Sequence, residues 1–240
     1  HPLIRSEAAC FKSSELAVSL ARRHGTRLHV LHLSTARELD LFSHKPLEDK
    51  HITAEVCVHH LFFDEADYAG KGALIKCNPA IKTKADREAL LRGVQEGRID
   101  IIGTDHAPHK MDEKMKPYFQ APSGLPLARH ALMCLLEHYH ARTFSLPLIA
   151  EKTAHAPSRL FQIVDRGYIR EGYFADLVLV DLNRPFVVDD HPVFYGCGWS
   201  PFSERVFSST VESVWVSGHL AYHEDRIDDS QHGMRLAFDR

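Results

Sequence analysis

Short apolar segments alternate with helical segments through the first half of the chain, and this alternation limits the possible folds more than any other feature. Strands are predicted at residues 27–33, 52–59 and 98–102. Helices are predicted at residues 15–24, 36–42 and 84–96. Strand, helix and strand with short connections are typical of a parallel sheet or a β/α barrel. A closed barrel of this kind needs eight strands, so these units cannot close one alone.

The character of the chain changes after about residue 165. The change is preceded by two more predicted helices, at residues 127–140 and 146–153. Residues 167–181 predict a turn followed by a buried strand, and residues 211–222 predict a β-hairpin that turns at Ser217-Gly218-His219. The sequence therefore predicts an α/β fold in two domains: residues 1–164 as part of a β/α barrel, and residues 165–240 as part of a small β domain.

Composition indicates an ordinary globular protein, with 44% apolar and 25% charged residues. A formal net charge of −3 gives no indication of nucleic acid or an anionic membrane as partner. No apolar run approaches the roughly 20 residues of a membrane-spanning helix. The five cysteines are odd in number and form no CxxC pair, which is typical of a reducing compartment, so we expect the cytoplasm. Because the chain begins with His1-Pro2, we expect a fragment or a processed piece.

The strongest candidate site follows the third predicted strand, in the segment Ile-Ile-Gly-Thr-Asp-His-Ala-Pro-His at residues 101–109. It brings Asp105 and two histidines to the carboxyl end of a strand, where β/α barrels build their active sites. A carboxylate there can bind a cation and take a proton from metal-bound water. The alternative is that Asp105 caps the next helix while His106 and His109 form local hydrogen bonds.

Histidines also end the first two predicted strands. His32 ends the first, and His29 lies on the opposite face of that strand. A lone strand histidine is more often structural than a ligand, but a matching carboxylate two strands later favours His32 as a metal ligand. The second strand ends in His59 and His60 and is followed by Asn78-Pro79. An Asn-Pro loop is typical of a turn, but the Asn78 amide is equally able to recognise a planar ring with neighbouring donor and acceptor groups.

Several segments together resemble the dihydroorotases of the amidohydrolase superfamily: HVLHLST at 29–35, AEVCVHH at 54–60, IKCNPAIK at 75–82 with DREAL at 86–90, and GTDHAPH at 103–109. GYIREGYFADLVLVD at 167–181 is similar to the small β domain of many superfamily members. The resemblance covers essentially the whole chain, and GTDHAPH with CNPAIK is its most specific part. It implies the C-terminal half of a (β/α)8 TIM-type barrel plus part of a small β-sandwich.

The resemblance also implies a role for individual residues. His32 corresponds to the metal ligand of the sixth barrel strand. Asp105 corresponds to the ligand of the eighth strand, which is also the catalytic proton carrier. The implied substrate contacts are Asn78, His109 and, in the loop at 121–126, Ser123 and Gly124. His59, His60 and His106 are expected to be structural or supporting residues.

The implied reaction is the reversible hydrolysis of dihydroorotate to carbamoyl aspartate in pyrimidine synthesis, with one or two zinc ions as cofactor. The implied partner is this small molecule, and a homo-oligomer is left open. The family's His-x-His on the first strand, its lysine or aspartate on the fourth and its histidine on the fifth are not present, so we expect these 240 residues alone to be inactive. The alternatives are a hydantoinase, dihydropyrimidinase or allantoinase, or a non-catalytic scaffold that supports a partner enzyme.

Overall fold

The structure is a computed structural model that describes residues 1–239, apart from the side chain of residue 190. Its contacts divide the chain into two compact units. The first unit comprises His1–Ala131 and Val193–Pro201. The second comprises Leu132–Pro192 and the chain from Phe202 onward. Among the described residues, no helix combines the length and the apolar character that crossing a membrane requires.

A parallel sheet organises the first unit. Its strands are β1 (Leu28–Val30), β2 (Ile52–Cys57) and β3 (Ile101–Gly103), in the order β1-β2-β3. The register pairs Val30 with Ala54 and Cys57 with Gly103, so the carboxyl ends of all three strands lie at the same edge. The three strands are confirmed, but all are shorter than predicted. The third begins at Ile101, three residues after its predicted start, and the first two end early because the chain changes direction there. His32 adopts a φ of 42°, and a helix begins at Val58.

Helices lie before, between and after these strands. They are α1 (Glu7–His24), α2 (Val58–Phe62), α3 (Tyr68–Lys71), α4 (Lys84–Gln95) and α5 (Met111–Lys114). The predicted start of α1 at residue 15 is wrong, because Ser6 caps the helix by accepting a hydrogen bond from the Ala9 amide (3.3 Å). Its predicted end at Gly25 is confirmed, with a left-handed φ of 64°. The segment at 36–42 forms a 3-10 helix, Arg37–Leu41, and not an α-helix.

A buried ion pair joins β2 and β3 at the amino-terminal edge of the sheet. Lys50 Nζ lies 2.7 Å from Asp100 Oδ1, and the two side chains are 1% and 4% exposed. Asp100 Oδ2 accepts a hydrogen bond from the Ala54 amide (2.8 Å), and Lys50 also donates to the Gly97 carbonyl (2.6 Å). Both charges are therefore paired and hydrogen-bonded, as buried charges must be. Apolar residues around β2 complete the core, among them Val56, Ile75, Ile81, Leu90 and Ile99.

The second unit combines three helices with antiparallel strands. The helices are α6 (Ala131–His140), α7 (Leu146–Ala150) and α8 (Ala156–Leu160), with a π turn between α7 and α8 at Glu151–His155. The strands are β4 (Leu177–Asp181), β5 (Phe186–Val187), β6 (Val206–Phe207), β7 (Thr210–Val216), β8 (His219–His223) and β9 (Arg226–Ile227). They form a sheet in the order β4-β7-β8-β9 and a separate β5-β6 pair.

Two predictions for this unit need correction. The hairpin is confirmed, but its turn is only Ser217-Gly218, with φ of 51° and 87°, and His219 already belongs to β8. Positive φ at both positions is typical of a type I′ turn. The prediction that β4 is buried is wrong, because Val178 and Leu179 are 51% and 49% exposed. β4 pairs with β7 along one edge only within the described part of the chain.

The two compact units do not divide at residue 164, and α6 contacts the segment between β6 and β7 of the second unit. Glu137 on α6 accepts a hydrogen bond from the Ser208 amide (2.6 Å). His140 Nε2 lies 2.8 Å from Ser209 Oγ. These contacts agree with the assignment of α6 and β7 to the same compact unit. The division into a barrel part at residues 1–164 and a β-domain part at residues 165–240 stays a prediction.

Candidate active site

The parallel sheet brings two predicted site residues to its carboxyl edge. His32 follows β1, and Asp105 follows β3. Both are held in the left-handed region, at φ of 42° and 48°. Such a conformation is uncommon outside glycine, and strained backbone of this kind clusters at functional sites. Partial burial raises the pKa of the Asp105 carboxyl, and the charge of His32 acts in the opposite direction, so the two side chains influence each other across the edge.

Glu55 lies on β2, the strand between these two residues, and was not among the site residues predicted from the sequence. It is the charged residue of β2, and its carboxyl accepts a backbone hydrogen bond from His32. Burial is the main cause that raises the pKa of Glu55, and the Asp105 charge raises it further. The Cys57 thiol and the charge of His32 act against this rise. A charged residue in the middle of an otherwise apolar central strand was the sequence signal that could have found it.

Gly103 makes room for the Glu55 side chain. A Cβ atom at Gly103 would lie 2.7 Å from the Glu55 carboxyl carbon and 2.8 Å from both of its oxygens. This spacing is shorter than any ordinary Cβ contact. Glycine at the end of β3 therefore lets the carboxylate of the neighbouring strand lie directly against the backbone.

Asn78 shares a cavity with His32. Both line an open cavity of about 530 Å³ whose wall also includes Arg5, Cys10 and the buried carboxylate of Glu38. Glu38 is held in place by Ser14 Oγ, which donates to Oε1 (2.6 Å), and by Thr35 Oγ1, which donates to Oε2 (2.9 Å). Asn78 is exposed, so its side chain is accessible from solvent. The structure thus brings Asn78 and His32 to one cavity.

His109 and the loop at 121–126 lie against each other. His109 Nε2 is within hydrogen-bond distance of the Ser123 carbonyl (3.2 Å), and the Ala107 amide donates to the Leu125 carbonyl (2.9 Å). Gly124 has a φ of 146°, and a Cβ atom there would lie 2.5 Å from the Ala107 oxygen. The close approach therefore requires glycine. Ser123 and Gly124 therefore lie next to His109.

Lys114 secures the same loop, and no sequence signal indicated this. Its side chain is buried, and Nζ donates hydrogen bonds to the carbonyls of Pro122 (3.0 Å), Gly124 (2.9 Å) and Lys76 (3.2 Å). Burial lowers the pKa of Lys114 to about 8. An ammonium with three carbonyl acceptors fixes the backbone of the loop at the point where it meets His109.

His59 and His60 lie on α2 and not in a strand, so the predicted extension of β2 to residue 59 is wrong. Both are buried, and burial lowers the pKa of His60 to about 3 and that of His59 well below its usual value. His60 Nε2 lies 3.0 Å from the Pro79 carbonyl oxygen. Neither ring nitrogen of His59 has a hydrogen-bond partner among the described residues. A buried polar group left unpaired typically costs about 1–3 kcal/mol.

His106 makes contacts of a structural kind. Its Nδ1 accepts hydrogen bonds from the amides of Leu127 (2.9 Å) and Ala128 (3.1 Å), which leaves the proton of the neutral ring on Nε2. The backbone after β3 is also supported by Trp199, whose Nε1 donates to the His109 carbonyl (2.7 Å). These contacts hold the segment that carries Asp105 and His109.

The arrangement at the carboxyl edge joins one imidazole to two carboxyl groups of raised pKa. A carboxyl whose pKa approaches the operating pH is suited to exchange protons with a reactant. Imidazole nitrogen and carboxylate oxygen are also donor atoms that zinc accepts in proteins. The edge therefore provides groups for both metal binding and acid–base chemistry.

A family model and individual relatives of known name agree on the family to which the chain is similar. The family model described as "Amidohydrolase family" matches residues 11–221. The chain is 31% identical over 210 residues to the dihydroorotase of Latilactobacillus sakei subsp. sakei (strain 23K), covering 87% of this chain and 49% of that protein. It is 33% identical over 201 residues to the dihydroorotase of Anaplasma phagocytophilum (strain HZ), covering 84% and 45%. The chain thus spans about half the length of the curated relatives that it matches.

Solved structures with a similar fold include L-hydantoinase (dihydropyrimidinase) from Arthrobacter aurescens. Its TM-score is 0.80 at 22% identity, over 90% of this chain and 49% of that chain. D-hydantoinase (dihydropyrimidinase) from Thermus sp. has a TM-score of 0.81 at 19% identity, over 93% and 50%. At these identities the similarity concerns the mixed α/β fold alone.

Proposed function

The chain belongs to the amidohydrolase family, and we propose from this that it is the C-terminal part of a zinc-dependent dihydroorotase. The observation that carries the proposal is the cluster of His32, Glu55 and Asp105 at the carboxyl edge of the parallel sheet. The identities of 31% and 33% to dihydroorotases support this substrate over the hydantoins and dihydropyrimidines of the alternative hydrolases.

The proposed fold is the second half of a (β/α)8 barrel with part of a β-sandwich, divided near residue 164. Within the described residues, β1 and β3 pair only with β2, so each keeps one edge available for a further strand. Leu31, which follows β1, is 51% exposed, and the β4 residue Val178 is also 51% exposed. Apolar side chains at open sheet edges are expected where more of the same sheet would cover them.

The proposed reaction adds water to a ring carbonyl of (S)-dihydroorotate and breaks the ring C–N bond, which gives N-carbamoyl-L-aspartate. Asp105 accepts the proton of the attacking water and returns it to the leaving ring nitrogen, and the reverse sequence closes the ring. The raised pKa of Asp105 brings the carboxyl closer to the pH at which it must both accept and donate. We propose that the reaction serves de novo pyrimidine biosynthesis in the cytoplasm.

The donor set at this edge fits zinc. His32 offers an imidazole nitrogen and Asp105 a carboxylate oxygen, which are both usual zinc ligands. Zinc held there would supply Lewis-acid activation of water and of the ring carbonyl. Catalytic zinc takes about three protein ligands, so we expect further ligands from outside these 240 residues. Glu55, which accepts a hydrogen bond from the His32 backbone, orients this histidine.

The substrate-contacting residues are proposed to be Asn78, His109, Ser123 and Gly124. The Asn78 amide both donates and accepts, which matches the alternating N–H and carbonyl groups of a cyclic imide. His109 lies beside Ser123, so both reach the same end of the ligand. Lys114 holds the loop at Gly124 and thereby sets the position of these contacts.

Steady-state kinetics of the full-length protein with dihydroorotate test the proposal. Asp105→Asn should lower kcat by about 10²–10⁴-fold, which is the usual contribution of general acid–base catalysis. Asp112→Asn is the matched control, because Asp112 is an exposed carboxylate on α5. A variant that keeps most of its kcat would refute the role of Asp105. Faster turnover of hydantoin or dihydrouracil would favour the alternative hydrolases, and a protein without zinc or turnover would be a scaffold.

Separate variants test the division between metal and substrate residues. Asn78→Ala and His109→Ala should each lower kcat/KM about 10- to 100-fold, because a hydrogen bond to a charged group contributes about 1.5–3 kcal/mol. Zinc content should stay unchanged in both. Loss of zinc in either variant would identify that residue as a ligand, and unchanged kinetics in both would remove them from the substrate site.

A further inference from the structure

We propose that Cys57, His59 and His60 form a second metal site, separate from His32 and Asp105, that takes a zinc-class ion. The inference rests on the geometry and hydrogen bonding of these three residues and does not depend on the proposed hydrolase activity. Their positions follow from one local feature: β2 ends at Cys57, and the chain continues directly into α2.

The distances suit one ion. The Sγ of Cys57 and one ring nitrogen from each histidine all lie within 4.8 Å of one another. Tetrahedral zinc with Zn–N of about 2.0–2.1 Å and Zn–S of about 2.3 Å places its ligand atoms roughly 3.4–3.6 Å apart. Side-chain rotations of modest size would therefore bring the three atoms to bonding distance. All three residues are buried, so water does not compete strongly for the ligand atoms.

Hydrogen bonding provides an independent observation. Both ring nitrogens of His59 and Nδ1 of His60 are buried and have no hydrogen-bond partner among the described residues. His60 Nε2 donates to the Pro79 carbonyl (3.0 Å), which leaves the lone pair on Nδ1. Metal-binding histidines usually donate their other N–H to a carbonyl in this way. A metal ion would give the unpaired nitrogens of His59 and His60 the partner that the protein does not supply.

The donor types select the class of metal. One thiolate and two imidazoles favour zinc over magnesium or calcium, which prefer oxygen ligands. On binding, the Cys57 sulfur–metal bond forms and the thiol proton passes to solvent. Three protein ligands leave a fourth position for water. The ion would join the end of β2 to α2 next to His32, whose charge acts on both histidines.

Cobalt substitution tests the site in the full-length protein. The chelator-treated protein is titrated with Co²⁺, and a thiolate-to-cobalt charge-transfer band is expected in the near ultraviolet. Cys57→Ser should abolish the band, and His59→Gln should weaken Co²⁺ binding by more than about 100-fold, since even outer partners of a ligand contribute 10- to 100-fold. Cys134→Ser, at an equally buried cysteine in the second unit, is the matched control and should keep the band.

This experiment tests the second metal site independently of the proposed hydrolase site. His32 and Asp105 contain no sulfur, so His32→Gln should leave the charge-transfer band intact whatever it does to turnover. Absence of the band in the unmodified protein, or its persistence in Cys57→Ser, overturns the inference. If Cys57→Ser does not fold, X-ray absorption of the unmodified zinc-loaded protein decides. A sulfur neighbour at about 2.3 Å supports the site, and nitrogen and oxygen neighbours alone overturn it.

Discussion

Replacing Asp100 with alanine should destabilise the parallel sheet without touching its carboxyl edge. Asp100 lies at the amino-terminal edge, where it pairs with Lys50 Nζ at 2.7 Å and accepts the Ala54 amide at 2.8 Å. The side chains of the pair are only 1% and 4% exposed, so water cannot replace the lost carboxylate. The change therefore leaves a buried ammonium without its counter-charge.

The expected magnitude follows from this burial. Removing one partner of a buried ion pair costs about 3–5 kcal/mol. Lys50 keeps its hydrogen bond to the Gly97 carbonyl, which favours the lower part of that range. The unfolding equilibrium should accordingly shift by roughly 10²- to 10³-fold. Lys50→Met combined with Asp100→Asn removes both charges and keeps an acceptor for the Ala54 amide, so this double variant should recover most of the loss.

The two tryptophans allow the first unit to be followed by itself. Trp199 belongs to the first unit and is buried, while Trp215 belongs to the second. In a Trp215→Phe background, urea unfolding followed by fluorescence reports on Trp199 alone. The matched control is Glu88→Ala, which removes an exposed ion pair with Lys84 at 3.9 Å and should cost less than about 1 kcal/mol.

Two results would refute the reasoning. A cost for Asp100→Ala no larger than that for Glu88→Ala would mean that the Lys50–Asp100 pair is solvated. A double variant as unstable as Asp100→Ala would mean that the uncompensated charge of Lys50 is not the source of the loss.

Three further predictions concern the carboxyl edge. Gly124→Ala should lower the free energy of unfolding by about 1–3 kcal/mol, because the new Cβ would lie 2.5 Å from the Ala107 oxygen at a φ of 146°. Gly196→Ala is the control, because open space surrounds Gly196 and its loss should be smaller. Equal losses in urea unfolding would contradict this prediction. Burial lowers the pKa of Lys114 from 10.5 to about 8, so the folded chain loses this proton at a lower pH than the unfolded chain does. The unmodified protein should therefore gain stability as the pH rises from about 8 to 10.5, and Lys114→Met should lack this gain. The same dependence of stability on pH in both proteins, measured by urea unfolding, would argue against this prediction. Burial raises the pKa of Glu55 above 4.5, so the folded chain loses stability as the pH rises from 4.5 through the raised pKa. Metal-free Glu55→Gln should lose less stability as the pH rises above 4.5 in the same assay. An identical loss in both proteins would contradict the burial.

Local sequence patterns were sufficient for elements that depend on near neighbours. α4 extends over Lys84–Gln95, close to its predicted bounds, because Thr83 and Asp86 form a capping box and Gly97 follows the last turn. The hairpin between β7 and β8 depends on Ser217-Gly218 in the same way. The strand prediction was wrong for residues 58 and 59, because apolar and β-branched residues also suit a short buried helix and only the packing of α2 decides between the two.

The sequence by itself determined where His32 and Asp105 lie, because the carboxyl ends of parallel strands share one edge and both residues follow such strands. Only the tertiary structure decided which other groups reach that edge. Glu55 lies against Gly103 because β2 and β3 pair in a particular register, and Lys114 secures the loop at Gly124 through carbonyls that no local pattern indicates. Side-chain periodicity in the sequence indicates which face of a helix or strand a residue occupies. Contacts between segments that are distant in the sequence depend instead on how the elements pack in three dimensions.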